Sequence, residues 1–175
     1  MTRKMMTVVT VLVCCLAATL AVVAAVDPKP NFSGDWTMAV ERSFGQAKDM
    51  RQTMTVTQTE DQITVETKLI LPDNERVVKD TYMLDGKEYD FTPQVPLNAP
   101  PNTPLAKGKR TVTWLPNDTG MLVTEVITNE TPKGPTTTQI VRKWILTSDG
   151  DLAITNFIDT PTGGSYETKR VFVKK

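Results

Sequence analysis

Histidine is missing from this 175-residue sequence, and cysteine occurs only as Cys14 and Cys15. Those absences remove the usual nucleophile–base pairs and the soft metal sites together, because both depend on imidazole or thiolate. Excess charge is missing as well. With 20 basic side chains against 20 acidic ones, nothing in the composition recruits nucleic acid or an anionic membrane electrostatically. A convincing helical stripe is also lacking, whereas period-two alternation runs along almost the whole chain.

One long apolar run is present, at the start. Arg3 and Lys4 precede it, Val8 to Val23 form it, and Val23-Ala24-Ala25 supplies the small residues that a signal peptidase requires. Residues 1–25 are therefore expected to be a cleaved signal peptide, and residues 26–175 to be one domain that is periplasmic or extracellular. The rival is a retained anchor, since about 18 apolar residues suffice to span a bilayer. A lipoprotein reading of Cys14 fails, because Val13 stands where lipid attachment usually requires a small residue. Removing Arg3 and Lys4 leaves 18 basic against 20 acidic residues, a net charge of −2. The mature chain then has no thiol for a disulfide, so packing and strand pairing must stabilise it.

About ten strands are predicted. The first runs over Trp36–Glu41, followed by Arg51–Thr57, Gln62–Leu69 and Glu75–Leu84. Asp85-Gly86 reads as a two-residue type I′ hairpin that sets Tyr82 opposite Tyr89. Pro93, Pro96, Pro100, Pro101 and Pro104 exclude an interior strand over the next segment, which is read as a lid or as a polyproline-like connector. Strands resume at Lys109–Leu115, Met121–Thr128, Thr137–Leu146, Asp151–Ile158 and Ser165–Val173.

Short turns between consecutive strands favour an antiparallel meander that hides its edges by closing into a barrel. A membrane barrel would need a continuous lipid-facing apolar face. Thr53, Thr55 and Thr57 interrupt one such face, and Thr111 and Thr113 another. A soluble all-β barrel is the expectation.

Hairpin parity assigns residues to faces. If Ser148-Asp149-Gly150 is a three-residue loop with Gly150 left-handed, Trp144 pairs with Ile154 and Leu146 with Leu152. One face then gathers Ile140, Arg142, Trp144, Leu146, Leu152, Ile154 and Ile158. By the same rule Arg110 lies with Val112 and Trp114, and Arg170 with Tyr166 and Phe172. Three arginines thus share the aromatic parity of their strands. A buried guanidinium stays charged and is costly without a partner, so an anion should meet each one. Asp80, on the face of Val78, Tyr82 and Leu84, is an internal candidate. A ligand carboxylate or phosphate is an external one, and a position at the barrel rim, with the head in water, is the third option.

Asn31-Phe32-Ser33-Gly34-Asp35-Trp36 resembles the Gly-x-Trp opening of the lipocalin and fatty-acid-binding superfamily. Ile140-Val141-Arg142-Lys143, Asp149-Gly150-Asp151-Leu152 and Lys169-Arg170-Val171-Phe172-Val173-Lys174 are similar to the last three strands of intracellular fatty-acid-binding proteins. The resemblance implies ligand-carboxylate contacts for Arg142 and Arg170. It departs from the family at Phe172, where a tyrosine is usual, and at Ser43–Met50, too short for the helical lid. In lipocalins proper the opening tryptophan packs on an arginine near the chain end, which implies a structural role for Arg170 beneath Trp36. An exported bacterial protein with a lipocalin-like domain is the closest description.

Carboxylate chemistry is the surviving enzymatic alternative. Glu66, Asp80 and Glu125 are strand residues with that capacity, but a solvated strand face accounts for them more simply. Asp149-Gly150-Asp151 reads as a turn before it reads as a calcium loop. The expected function is therefore non-enzymatic, with no cofactor: binding of a small amphipathic, anionic molecule by Arg142, Arg170, Arg110, Phe172, Trp144 and Tyr82. The alternative is a cell-envelope scaffold whose barrel is filled by side chains.

Overall fold

Alternating side chains of opposite polarity fold this chain into strands because each strand can bury one face only. In Arg51–Gln58, Met54 and Val56 are buried while Thr55 and Thr57 face outward. In Gln62–Leu71, Ile63 and Val65 turn inward by the same rule. The computed structural model describes residues 28–45, 49–94, 105–132 and 134–175. The expected leader, both cysteines, and Pro96, Pro100, Pro101 and Pro104 lie outside the described residues.

The described chain is all-β. Its strands are β1 (Gly34–Met38), β2 (Arg51–Gln58), β3 (Gln62–Leu71), β4 (Asn74–Met83), β5 (Glu88–Phe91), β6 (Lys107–Trp114), β7 (Met121–Thr131), β8 (Gly134–Leu146), β9 (Leu152–Thr160) and β10 (Gly164–Lys174). They form one antiparallel sheet in the order β4-β3-β2-β1-β10-β9-β8-β7-β6-β5. The first and last strands pair with each other, and the sheet curls until its β4 edge approaches β6 at a seam beside the short edge strand β5. This nearly closed ten-stranded meander is consistent with a lipocalin-like barrel.

The β8–β9 turn matches the three-residue reading. The Thr147 amide donates to the Asp151 carbonyl at 2.8 Å and the Gly150 amide to the Thr147 carbonyl at 2.9 Å. Gly150 takes φ +81°, and Trp144 pairs with Ile154 and Leu146 with Leu152. Gly34 is required for a different reason. Its φ is +142°, and a Cβ there would meet Lys174 Cε at 2.7 Å.

Two local readings need correction. The first strand ends at Met38, not Glu41, because Val40–Arg42 forms a single 3₁₀ turn. Ser43 Oγ holds that turn against β10, donating to the Ala39 carbonyl at 2.7 Å and accepting from the Val171 amide at 3.0 Å. The second concerns Asp85-Gly86. β5 pairs only with β6, so Tyr89 lies opposite Arg110 and not opposite Tyr82. A type I′ turn needs positive φ at both central residues, whereas only Gly86 of the two adopts it, at +76°. The Asp85 carboxylate instead accepts from the Lys87 amide at 3.1 Å and the Tyr89 hydroxyl at 2.9 Å, a local turn that peels β5 away from β4.

One end of the barrel is sealed by residues just before β1. Gln58 clamps that segment: its Oε1 accepts from the Phe32 amide at 2.9 Å, and its Nε2 donates to the Pro30 carbonyl at 3.0 Å. Phe32, fully buried, stacks on Trp114 with centroids 6.5 Å apart and meets Trp144 edge-on at 5.8 Å. The buried Trp36 indole donates to the Phe32 carbonyl at 3.0 Å. Around this plug pack Ile63, Met121, Val123, Leu152 and Phe172.

Candidate functional site

Beyond the plug the barrel is hollow. A cavity of about 260 Å³ lies among β2, β3, β4, β8, β9 and β10. Met54, Val65, Val78, Ile154 and Phe172 form its apolar wall, while Gln52, Thr67, Asp80, Asn156, Arg142 and Arg170 contribute polar groups. A second recess of about 220 Å³ adjoins it and shares Arg142, Asn156 and Arg170. Five of the six residues expected to bind a ligand line the larger cavity: Arg142, Arg170, Phe172, Trp144 and Tyr82.

Arg110 does not line it. Its guanidinium is spent inside the wall: Nε donates to Glu125 Oε1 at 2.7 Å, Nη1 to the Thr81 carbonyl at 3.0 Å and Nη2 to Asp80 Oδ1 at 3.1 Å. Tyr82 and Phe91 cover it, their ring centroids 4.3 and 4.1 Å from the guanidinium carbon. Gly108, directly opposite Phe91, leaves room for that ring, since a Cβ there would fall 2.4 Å from it. Arg110 therefore fastens β6 to β4 across the seam where the two edges have no ladder between them. Asp80 is the internal partner that parity suggested for an arginine.

Glu125 overturns the solvated-face reading. It is only 1% exposed and accepts from Arg110 on one oxygen while pairing with Arg142 Nη1 through the other. Arg110 is its direct cross-strand neighbour, and Arg142 its diagonal one, since Val123 is the residue opposite Arg142. Glu66, by contrast, is exposed and lies opposite Lys79. The signal that would have placed Glu125 inside is its parity with Met121 and Val123, both fully buried. Asn156 was missed for the same reason. It stands on the face of Leu152 and Ile154 and donates to Thr168 Oγ1 at 2.9 Å.

Arg170 differs from the other two arginines. Among the described residues it has no acidic partner, and its buried Nε has no hydrogen-bond acceptor. Burial, and next the nearby Arg142 cation, hold its pKa below the ordinary arginine value. Arg142 shifts the other way. Burial opposes its charge most, but Glu125 and weaker interactions with Tyr82 and Asp80 outweigh that and raise it. Arg110 and Arg142 thus take up Asp80 and Glu125 between them, and Arg170 is left without a carboxylate at the cavity, which Arg76, donating to Gln94 Oε1 at 2.6 Å, also lines. Nor does Arg170 support Trp36. The cation over that ring is Lys174, its Nζ 5.5 Å from the centroid and its residue opposite Trp36 in the β1–β10 ladder.

Tyr82 joins plug to cavity, with its ring edge-on to Trp144 at 5.9 Å. Burial pushes its phenol from 10.0 up to about 12. The unfolded chain loses this proton near pH 10 while the folded chain keeps it. Between pH 10 and 12 the unfolded state therefore binds fewer protons, and stability falls as pH rises. At ~1.4 kcal/mol per unit, this residue should account for roughly 2 kcal/mol of stability lost between pH 9 and pH 11.5. Urea unfolding at the two pH values checks it: Tyr82→Phe should lose correspondingly less, and an equal loss in both chains would contradict this origin.

Comparison with models of known protein families gives no match for this sequence, and comparison with curated proteins gives none either. Among the described residues no helix is long and apolar enough to cross a membrane.

Proposed function

We propose that this chain is a non-enzymatic, lipocalin-like binding protein, exported to the periplasm or beyond, that holds a small amphipathic anion in the hollow half of its barrel. The observation that carries the reading is Arg170, a largely buried cation at the cavity wall with no acidic partner among the described residues. A buried charge is tolerable when something opposite reaches it. The cavity beside it offers apolar area on Met54, Val65, Val78 and Phe172 for the remainder of such a ligand. Hydrolytic chemistry is less well served, because the inward carboxylates Asp80 and Glu125 are both engaged by arginine.

Arg170 also makes the reading testable without confusing binding with folding. Removing an uncompensated cation should not unfold the protein, so Arg170→Met is expected to keep or raise the melting temperature. A charge-assisted hydrogen bond contributes about 1.5–3 kcal/mol, so the same change should weaken octanoate binding by about ten- to a hundred-fold in calorimetry. Protein purified from its host should also release an anionic amphiphile on extraction, detectable by mass spectrometry. An empty protein, with no carboxylate raising its melting temperature, would return the barrel to the scaffold reading.

A further inference from the structure

We infer that the ligand is compact and polar along its length, an anion bearing at least one further hydroxyl or carbonyl group, and not a long unsubstituted acyl chain; this rests on the binding function proposed above. The cavity holds about 260 Å³, against roughly 300–1,000 Å³ for usual small-molecule sites, and the recess of about 220 Å³ that adjoins it adds largely polar walls from Arg142, Asn156, Tyr166, Thr168 and Arg170. Among the described residues the opposite end of the barrel gives it no apolar extension, because Phe32, Trp36 and Trp114 fill that end, with Trp144 at the boundary.

A site for an alkyl chain concentrates its polar groups at one end and leaves the rest apolar. Here they come from every wall: Gln52 on β2, Thr67 on β3, Asp80 on β4, Arg142 on β8, Asn156 on β9 and Arg170 on β10. An unsubstituted chain crossing that space would bury polar groups without partners, which is unfavourable wherever it happens. Several are already short of one. Gln52 Oε1, Trp144 Nε1 and Arg170 Nε are buried without a hydrogen-bond partner, and all three residues line this cavity. They amount to one acceptor and two donors around one ligand-sized space. A molecule with an anionic end and a hydroxyl or carbonyl further along matches that set after small side-chain adjustments.

Calorimetric titration of the mature chain with octanoate, 3-hydroxyoctanoate, 8-hydroxyoctanoate and hexadecanoate tests the inference, each repeated on Arg170→Met. At least one hydroxylated acid should bind about ten-fold more tightly than octanoate, and hexadecanoate should bind no more tightly than octanoate, since its excess carbons find no apolar wall to cover them. Gln52→Leu should erase much of the hydroxyl advantage, so that in this variant the hydroxylated acids bind no more tightly than octanoate does. Hexadecanoate binding more tightly than all three, with Arg170→Met abolishing it, would overturn the compact-ligand inference and leave the binding function standing. If Arg170→Met weakens none of the four acids, the binding function itself fails, and this inference with it.

Discussion

Glu125→Ala should lower the unfolding free energy by about 3–5 kcal/mol, the range for removing one partner of a buried ion pair. One carboxylate, 1% exposed, separates two guanidiniums. Without it Arg110 Nε and Arg142 Nη1 lose their shared anion in a place where water enters poorly, and the two cations repel across the gap. Arg110 also carries the seam contacts to Thr81 and Asp80, so the damage should reach beyond β7. Urea denaturation measures the loss, and amide exchange in β4 and β6 locates it. The double variant Arg110→Met, Glu125→Leu should be destabilised by less than the two single changes together, with a coupling in the range of about 0.5–3 kcal/mol seen for residues in contact. A loss below about 1 kcal/mol for Glu125→Ala would show that the network does not hold the seam.

Phe32→Ala is expected to be comparably severe, about 3–5 kcal/mol, because a fully buried ring is replaced by a void that its neighbours cannot refill. The neighbours are large and constrained. Trp114 loses a stacked partner, Trp144 an edge contact, and the Trp36 indole depends on the Phe32 carbonyl being held in place. Phe32→Leu should lose far less, since most of the volume remains. The position of the plug sharpens the expectation. Arg142, Asn156 and Arg170 lie in the hollow half, so whatever fraction of Phe32→Ala stays folded should still bind octanoate, while thermal denaturation shows a large drop. Lost binding in a folded variant would mean that the two halves of the barrel are not independent.

Much of the architecture was readable from residue order, because a strand is a local object with a period of two. Thr55 and Thr57 against Met54 and Val56 announce both the strand and its buried face. The β8–β9 register followed from a single glycine, Gly150, whose positive φ selects the loop length. The seam was not readable. Asp85-Gly86 has the composition of a hairpin, and composition does not distinguish a turn that pairs its strands from one in which Asp85 bonds to Lys87 and Tyr89 and separates them. The contact across the gap comes from Arg110, which sits far along the chain and reaches back to Thr81 and Asp80.

The site divides the same way. Parity alone put Arg110, Arg142 and Arg170 on the aromatic faces of their strands and left each with an internal anion, a ligand anion or a rim position as its options, and the sequence by itself determined that much, along with an all-β chain without histidine. Which arginine is satisfied, and by what, belonged to the tertiary structure. Arg110 is consumed by Asp80 and Glu125, Arg142 shares Glu125, and Arg170 is left facing the cavity. The reason is geometric. Alternation fixes which way a side chain points within its own strand, but ion pairing depends on register and curvature summed over strands from β4 to β10. Those are set only when the sheet closes on itself.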